Sequence, residues 1–179
     1  MNGFQKFWGH LSTVTRHRHR VIAHCARAGI LWQGLRHDLS KYSPTEFWQG
    51  VKFFDGTHSP TEDERRTLGY SLAWMHHKGR NRHHWEYWTD YSMAQMRYVP
   101  VPMPRRYMAE MICDRIAASK IYNGERYTDA CPLAYLQRGK MHDHMHPDTQ
   151  ALLARSLTQL RVEGEDAMSA SLRQWAREK

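Results

Sequence analysis

The segment Ser-Pro-Thr-Glu occurs twice in the chain, at residues 43–46 and 59–62, and each copy has the residue order with which helices begin. Serine is a good N-cap, proline suits the first helical position, and glutamate at the third position can return a hydrogen bond to the cap. The sequence therefore predicts one helix over about residues 44–54 and another over about residues 60–78.

Helical patterns also dominate the rest of the chain. Thr13 or Thr15 is a candidate N-cap for a helix that ends near Ala28, and a short helix is expected over about residues 30–37. Residues 89–104 hold three prolines and are expected to form a connection, because proline cannot occupy a regular helix interior.

The C-terminal half repeats this helical character. Pro104 opens a stretch with apolar residues at helical spacing, and a second apolar stripe follows Asp148 with a break expected at Gly164. The polar segment 139–148 between them is expected to be a loop. No stretch shows the alternation of a strand, so the predicted fold class is all-α, a compact single-domain helical bundle.

Composition limits the classes of function. The chain has 179 residues and a net charge of +8. A basic protein attracts anionic partners such as nucleic acid, nucleotides or phosphate esters, and a merely solvated basic surface is an equal alternative. Cys25, Cys113 and Cys131 lack CxxC spacing, which excludes a zinc finger and indicates reduced thiols. No run approaches about 18 apolar residues and the N-terminus lacks a signal core, so we expect a cytoplasmic protein with no membrane span.

Histidine and aspartate recur near apolar residues in four predicted helical segments. A single histidine on an apolar face is more often a core residue than a ligand, but burying the whole set without partners would be costly. A divalent transition metal would satisfy several of them at once, and their donor atoms suit Zn, Mn, Fe or Ni. The set is His17, His37, Asp38, His76, His77, His83, His84 and Asp114.

The order of these residues resembles the HD-domain superfamily, the all-helical metal-dependent phosphohydrolases. His17, Val21 and Cys25 match a ligand histidine followed by small or apolar residues four and eight positions later. HDLSK at residues 37–41 matches the His-Asp pair, with serine where many members have glycine, and CDRIAAS at residues 113–119 matches the final aspartate.

The resemblance covers about residues 10–125, and HHKGRNRHHWEYW at residues 76–88 resembles a small group of uncharacterised HD-like proteins. The extra histidines resemble the branches that hold two metals, so one or two ions are implied. The implied ligands of the first ion are His17, His37, Asp38 and Asp114. Those of the second are Asp38 and some of His77, His83 and His84.

Two ligand assignments stay open. His24 is the alternative to His17, and His76 is the alternative to His77, because neighbours on a helix point about 100° apart. The second His-Asp pair, at residues 142–143, lies in a polar segment and is interpreted as a chance match.

The resemblance also implies roles in catalysis and substrate binding. Asp38 and Lys41 are the candidate catalytic residues, and Lys41 could bind a phosphate oxygen unless it is an ordinary surface lysine. Arg80, Asn81 and Arg82 lie between the histidine pairs and could bind the anion, with a simple polar turn as the alternative.

The leading hypothesis is a phosphohydrolase or phosphodiesterase that acts on a nucleotide or another phosphorylated small molecule through a metal-activated water. The alternatives are a di-iron oxygenase of HD-like fold and a non-enzymatic basic protein that binds nucleic acid. Residues 1–146 are expected to form the HD-like metal-binding domain. Residues 147–179 are expected to form a helical extension that packs on the core or, in a homodimer, on a partner.

Overall fold

Helices make up most of the computed structural model, which describes residues 1–139 and 144–177 and confirms the all-α fold class. In these residues the helices are α1 (Gly3–Arg27), α2 (Leu31–Arg36), α3 (Pro44–Phe53), α4 (Pro60–Leu68), α5 (Leu72–Lys78), α6 (Arg105–Asn123), α7 (Cys131–Arg138) and α8 (Pro147–Arg177). The strands are β1 (Thr89–Ser92) and β2 (Arg97–Pro100), and short 3-10 turns occur at Leu39–Tyr42, Trp85–Tyr87 and Gly124–Arg126.

The core is built around α6. All six residues from 108 to 113 are buried, so neighbouring elements cover more than one face of this helix. Both α1 and α8 pack against α6. Val21 and Cys25 of α1 join Leu153 and Leu157 of α8 in one hydrophobic cluster. The C-terminal helix therefore shares its core with the N-terminal part of the chain, and α1 lies beside α6 where their polar residues can meet.

The first helix begins earlier than predicted. Asn2 caps α1 by accepting a hydrogen bond from the Gln5 backbone, and the Gln5 side chain accepts one from the Asn2 backbone. The predicted cap at Thr13 or Thr15 was wrong, because both residues lie inside α1. Thr15 instead uses its hydroxyl to contact Tyr42 OH at 3.2 Å.

The second Ser-Pro-Thr-Glu segment begins a shorter helix than predicted. Gly69 ends α4 in a left-handed conformation with φ of 82°, and Ser71 caps α5. The buried Glu64 carboxylate accepts a hydrogen bond from the Ser71 hydroxyl and one from the Leu72 backbone. The prediction of an unbroken helix over residues 60–78 was therefore wrong, since glycine and a buried carboxylate stabilise a turn there.

The two copies of the segment also differ at their caps. Ser43 Oγ accepts the predicted hydrogen bond from the Glu46 backbone at 3.5 Å. Ser59 makes no such bond and its hydroxyl lies 2.9 Å from Thr61 Oγ1, so the predicted capping box at this position was wrong.

A small antiparallel hairpin occupies part of the predicted connection. Thr89 pairs with Pro100 and Ser92 with Arg97, in a register that places Tyr91 opposite Tyr98. Most residues of both strands are exposed, so backbone pairing and tyrosine contact stabilise the hairpin without an apolar alternation. The expectation of no strand was wrong for this reason.

The remaining observations concern the last helix, two tryptophans, the cysteines, the membrane expectation and the second His-Asp pair. The break in the last helix is confirmed at Gly164, and Trp85 and Trp88 pack against the core. The three cysteines are free thiols, and two of them are buried. No helix in the described ranges is both long and apolar enough to cross a membrane. The His-Asp pair at residues 142–143 lies outside the described residues.

Gly164→Ala should destabilise the protein. Gly164 has φ of 83° and ψ of 177°, a conformation that costs other residues about 1–3 kcal/mol. Thermal denaturation followed by circular dichroism should show a lower midpoint. Gly3→Ala is the control, because no atom lies within 4 Å of the added methyl group. Equal midpoints for the two variants would contradict this account of the break in α8.

Candidate metal centre

His37 and Asp38 lie where the chain leaves α2. His37 caps α2, and Asp38 adopts a left-handed conformation with φ of 54° and ψ of 25°. Aspartate tolerates this conformation better than most residues, and such backbone outliers are concentrated at functional sites. The Arg18 side chain of α1 donates to the His37 carbonyl at 3.3 Å and fixes the segment to α1. Both side chains are thereby turned inward, and each residue is 1% exposed.

The first cluster joins this pair to α1 and α6. His17 Nε2 lies 3.0 Å from Asp114 Oδ1, and His37 Nε2 lies 3.2 Å from Asp38 Oδ2. One ligand atom from each of the four residues lies within 4.8 Å of the others. Ligand atoms about 2.0–2.2 Å from one ion are separated by about 4 Å or less. His17 Nε2 lies 3.9 Å from Asp38 Oδ2 and His37 Nε2 lies 3.6 Å from Asp114 Oδ1, so these separations fit a single divalent cation. The four residues are those expected for the first ion.

The second cluster uses the other oxygen of Asp38. His77 Nε2 of α5 lies 3.3 Å from Asp38 Oδ1, and His83 Nε2 lies 3.4 Å from the same oxygen. His84 completes this group of four potential ligands. Burial and the neighbouring His83 and His77 hold the pKa of His84 well below its ordinary value, so its imidazole is neutral and can act as a ligand. Asp38 is therefore common to both clusters, one oxygen facing each.

Buried polar atoms in both clusters lie at ion-pair distances from one another or from Lys41, but they form no well-aligned hydrogen bonds among the described residues. An unsatisfied buried donor or acceptor costs about 1–3 kcal/mol, so a native chain rarely concentrates several in one place. A cation coordinated by these atoms would remove that cost. The atoms are both carboxylate oxygens of Asp38 and Nε2 of His17, His37, His83 and His84.

Opposite charges at the centre of the site stabilise each other's ionised forms. Burial lowers the pKa of His37, but the carboxylates of Asp38 and Asp114 outweigh it and hold that pKa well above its ordinary value. Burial raises the pKa of Asp38, but His37 and Lys41 hold it well below its usual range. Asp38 is therefore ionised, and a metal ion at His37 Nε2 would replace the proton that these carboxylates stabilise on His37.

Glu110 orients two of the ligand histidines. Its Oε1 lies 2.9 Å from His37 Nδ1 and 3.1 Å from His83 Nδ1. A carboxylate on Nδ1 keeps the proton there and leaves Nε2 free to bind metal, as the second ligand shell of histidine sites commonly does. Glu110 was missed in the sequence, although it lies one helical turn before Asp114 on α6.

Glu46 has the same role in the second cluster, and it contacts both of the adjacent histidines. Glu46 Oε2 lies 2.7 Å from His77 Nδ1, while Glu46 Oε1 lies 2.6 Å from His76 Nδ1. The structure brings His77 to Asp38 and leaves His76 outside the cluster. Glu46 was also missed in the sequence, because its predicted place in a capping box already explained why a glutamate occurs there.

The structure also separates His17 from its alternative. His17 belongs to the first cluster, whereas His24 is buried near Lys120 and Glu165. Burial and then the positive charge of Lys120 lower the pKa of His24 to about 4.

The candidate substrate residues fall into two groups. Lys41 lies at the site, with Nζ 2.7 Å from Asp38 Oδ2, whereas Arg80 and Arg82 are exposed on the surface. Arg80 donates to the His76 carbonyl at 3.4 Å, and Arg82 lies over the ring of Tyr87.

Asn81 is buried beside the second cluster. Its amide donates to Ser40 Oγ at 2.8 Å and to the His77 carbonyl at 2.9 Å. It therefore ties the end of α5 to the turn that carries Asp38 and Lys41.

The fold and the clusters define an all-α protein with a histidine-rich candidate metal centre. The chain belongs to DUF5662, a family of unknown function, whose model matches residues 6–159. No curated protein and no solved structure matches it. The matched region contains every residue of both clusters, but the family has no assigned activity. The resemblance to the HD-domain superfamily therefore remains a prediction.

His77→Ala should remove one ion while His76→Ala should not. Both variants lose one imidazole from the last turn of α5, but only His77 directs Nε2 to Asp38. Elemental analysis of the purified variants should therefore show lower metal content in His77→Ala alone. Equal metal content in the two variants would contradict the assignment of the second cluster.

Glu110→Gln should weaken metal binding about 10–100-fold, because losing an outer-shell carboxylate leaves the ligand imidazoles poorly oriented. Competition with a chromophoric chelator measures the affinity. Glu125→Gln, an equivalent change at an exposed position, should have no effect. An unchanged affinity in Glu110→Gln would show that its contacts with His37 and His83 do not support metal binding.

Proposed function

We propose that this protein is a metal-dependent phosphohydrolase or phosphodiesterase with two divalent transition-metal ions, acting on a nucleotide or another phosphorylated small molecule. The observation that carries the proposal is the division of the Asp38 carboxylate between two clusters, whose buried ligand atoms face one another without well-aligned hydrogen bonds. A carboxylate that bridges two groups of ligands is the arrangement that a two-metal hydrolytic site requires.

The donor atoms limit the metal. Imidazole nitrogen and carboxylate oxygen, without cysteine, suit Zn, Mn, Fe or Ni. Ions of this kind would supply a hydroxide nucleophile at neutral pH and electrophilic stabilisation for a phosphoryl group.

The residues of the chain supply binding and orientation. Burial lowers the pKa of Lys41, but Asp38 and Asp114 outweigh it and raise that pKa, so Lys41 stays protonated. Its side chain is 31% exposed, so its ammonium can donate to a phosphate oxygen at the edge of the site. Glu46 and Glu110 hold the ligand histidines in the required tautomer. A net charge of +8 would draw an anionic substrate towards the protein.

Two other functions remain as alternatives. A di-iron oxygenase is favoured by the excess of imidazole ligands over carboxylates, a ligand set that also suits iron. It requires bound iron and oxygen uptake with an organic substrate. A nucleic-acid-binding protein requires binding that weakens steeply with salt and no stoichiometric metal.

We also propose that the protein is cytoplasmic. The free thiols of Cys25, Cys113 and Cys131 support this location, because reducing compartments keep such thiols unpaired.

The proposal is tested by metal analysis of protein purified without a histidine tag, followed by assays on nucleoside monophosphates, cyclic nucleotides and a generic phosphodiester. We expect about two ions per chain, consistent with a two-metal site, and hydrolysis that a chelator abolishes. Bound iron with oxygen uptake on an organic substrate would favour the oxygenase, and no ion with salt-sensitive binding would favour the nucleic-acid binder.

Asp38→Asn should then reduce both metals, because each cluster loses the charge of its shared ligand. His17→Ala should instead affect mainly the first ion, since His17 belongs to one cluster only. Metal content and turnover of the two variants should be compared with those of the wild type. Loss of a single ion in Asp38→Asn would show that the carboxylate does not bridge.

A further inference from the structure

A cavity of about 300 Å³ lies between α1, the segment after α3 and the end of α6. This volume is at the lower end of the range for small-molecule pockets. Its lining includes two arginines, one histidine and three hydroxyl groups. These residues are Thr13, Arg16, Thr57, His58, Tyr122 and Arg126.

The cavity adjoins the candidate metal centre along the interface of α1 and α6. Thr13 lies one helical turn, about 6 Å, before His17, and Tyr122 lies about 12 Å beyond Asp114. Thr13 lines the cavity and His17 belongs to the first cluster, so the two regions meet on one face of α1 and one molecule of modest size could span them.

The charge of the cavity favours an anion. Arg16 and Arg126 are exposed, and neither guanidinium forms an ion pair within residues 1–139 and 144–177. Guanidinium groups bind phosphate through paired, charge-assisted hydrogen bonds. Arg16 and Arg126 are therefore available for an anionic ligand.

Asp55, which precedes the cavity-lining segment, is engaged in hydrogen bonds with that segment. Asp55 accepts hydrogen bonds from the backbones of Thr57 and His58 at 2.7 and 3.0 Å, and from the Thr57 hydroxyl at 2.6 Å. These bonds hold the pKa of Asp55 well below its ordinary value. Asp55 therefore orders the segment that forms one wall of the cavity.

We propose that this cavity is a second phosphate subsite, so that the substrate is a small molecule with two phosphate groups, one of which is bound here and not hydrolysed. The inference rests on the proposed phosphohydrolase function. The two phosphates lie on different atoms of the substrate skeleton, because the cavity begins about one helical turn from the metal ligands.

The test is binding of inorganic phosphate to the full-length protein, measured by calorimetry together with metal content. The Arg16→Ala/Arg126→Ala double variant should bind phosphate at least about tenfold more weakly at one of two sites, with its metal content unchanged. Arg161→Ala is the matched control, because Arg161 is exposed on α8 and does not line the cavity. Equal phosphate binding in the double variant and the control would overturn the inference.

Turnover separates this inference from the proposed function. Wild-type protein should prefer adenosine 3′,5′-bisphosphate to adenosine 5′-monophosphate in kcat/KM, and the double variant should lose that preference while still hydrolysing the monophosphate. Metal-dependent hydrolysis without any preference would overturn the subsite and leave the phosphohydrolase standing. Phosphate binding that depends on both arginines in a protein without metal would support the subsite and overturn the phosphohydrolase.

A last experiment distinguishes a phosphorylated small molecule from a nucleic acid as the ligand of the cavity. A single-stranded oligonucleotide presents the same chemistry as a phosphorylated small molecule. If the double variant weakened oligonucleotide binding but left binding of the bisphosphate unchanged, the small-molecule subsite would be overturned.

Discussion

The shared carboxylate of Asp38 is the contact on which the rest of the site depends. One oxygen faces His37 and the other faces His77 and His83, so a single side chain sets the distance between the two clusters. The left-handed backbone at Asp38 fixes where that carboxylate lies. Segments far apart in the sequence converge on it, from α1 to α6, and the packing of those helices therefore determines the geometry of the ligands.

The buried polar residues of the site oppose the stability that the apolar core provides. The core gains stability by burying apolar side chains of α1, α6 and α8, yet α1 and α6 also carry imidazoles and carboxylates into the interior. Glu46 and Glu110 accept hydrogen bonds from Nδ1 of His77, His37 and His83. In the described part of the chain, no well-aligned hydrogen bond satisfies Nε2 of His17, His37, His83 or His84. Metal binding would offset that cost and would thereby stabilise the folded state.

The ligands could be predicted from the sequence because each carries its own chemical signal. Histidine and aspartate beside apolar helix positions need a partner, and the resemblance of their order to the HD-domain superfamily implied how to group them. The supporting carboxylates gave no such signal, because Glu46 also fits a helix start and Glu110 a helix surface. Their role depends on contacts between residues 27 or more positions apart, which only the packed helices define.

The fold shows the same division between local and distant information. The cap at Ser43 and the break at Gly164 follow from neighbouring residues and could be predicted. The turn after α4 depends on the Glu64 carboxylate reaching Ser71 and Leu72, and the hairpin depends on backbone pairing of exposed strands. Neither leaves a periodic pattern of apolar residues, so hydrophobic spacing alone could not reveal them.

One edge of the candidate metal centre is exposed to solvent, whereas the rest is buried. The His37 and His83 side chains are almost fully buried, whereas that of Asp114 is 17% exposed and that of Lys41 is 31% exposed. The buried side is held by Glu110, which contacts two imidazoles at once. An anion can therefore approach along the edge that carries Lys41, where the protonated ammonium partly neutralises the carboxylates and attracts the anion.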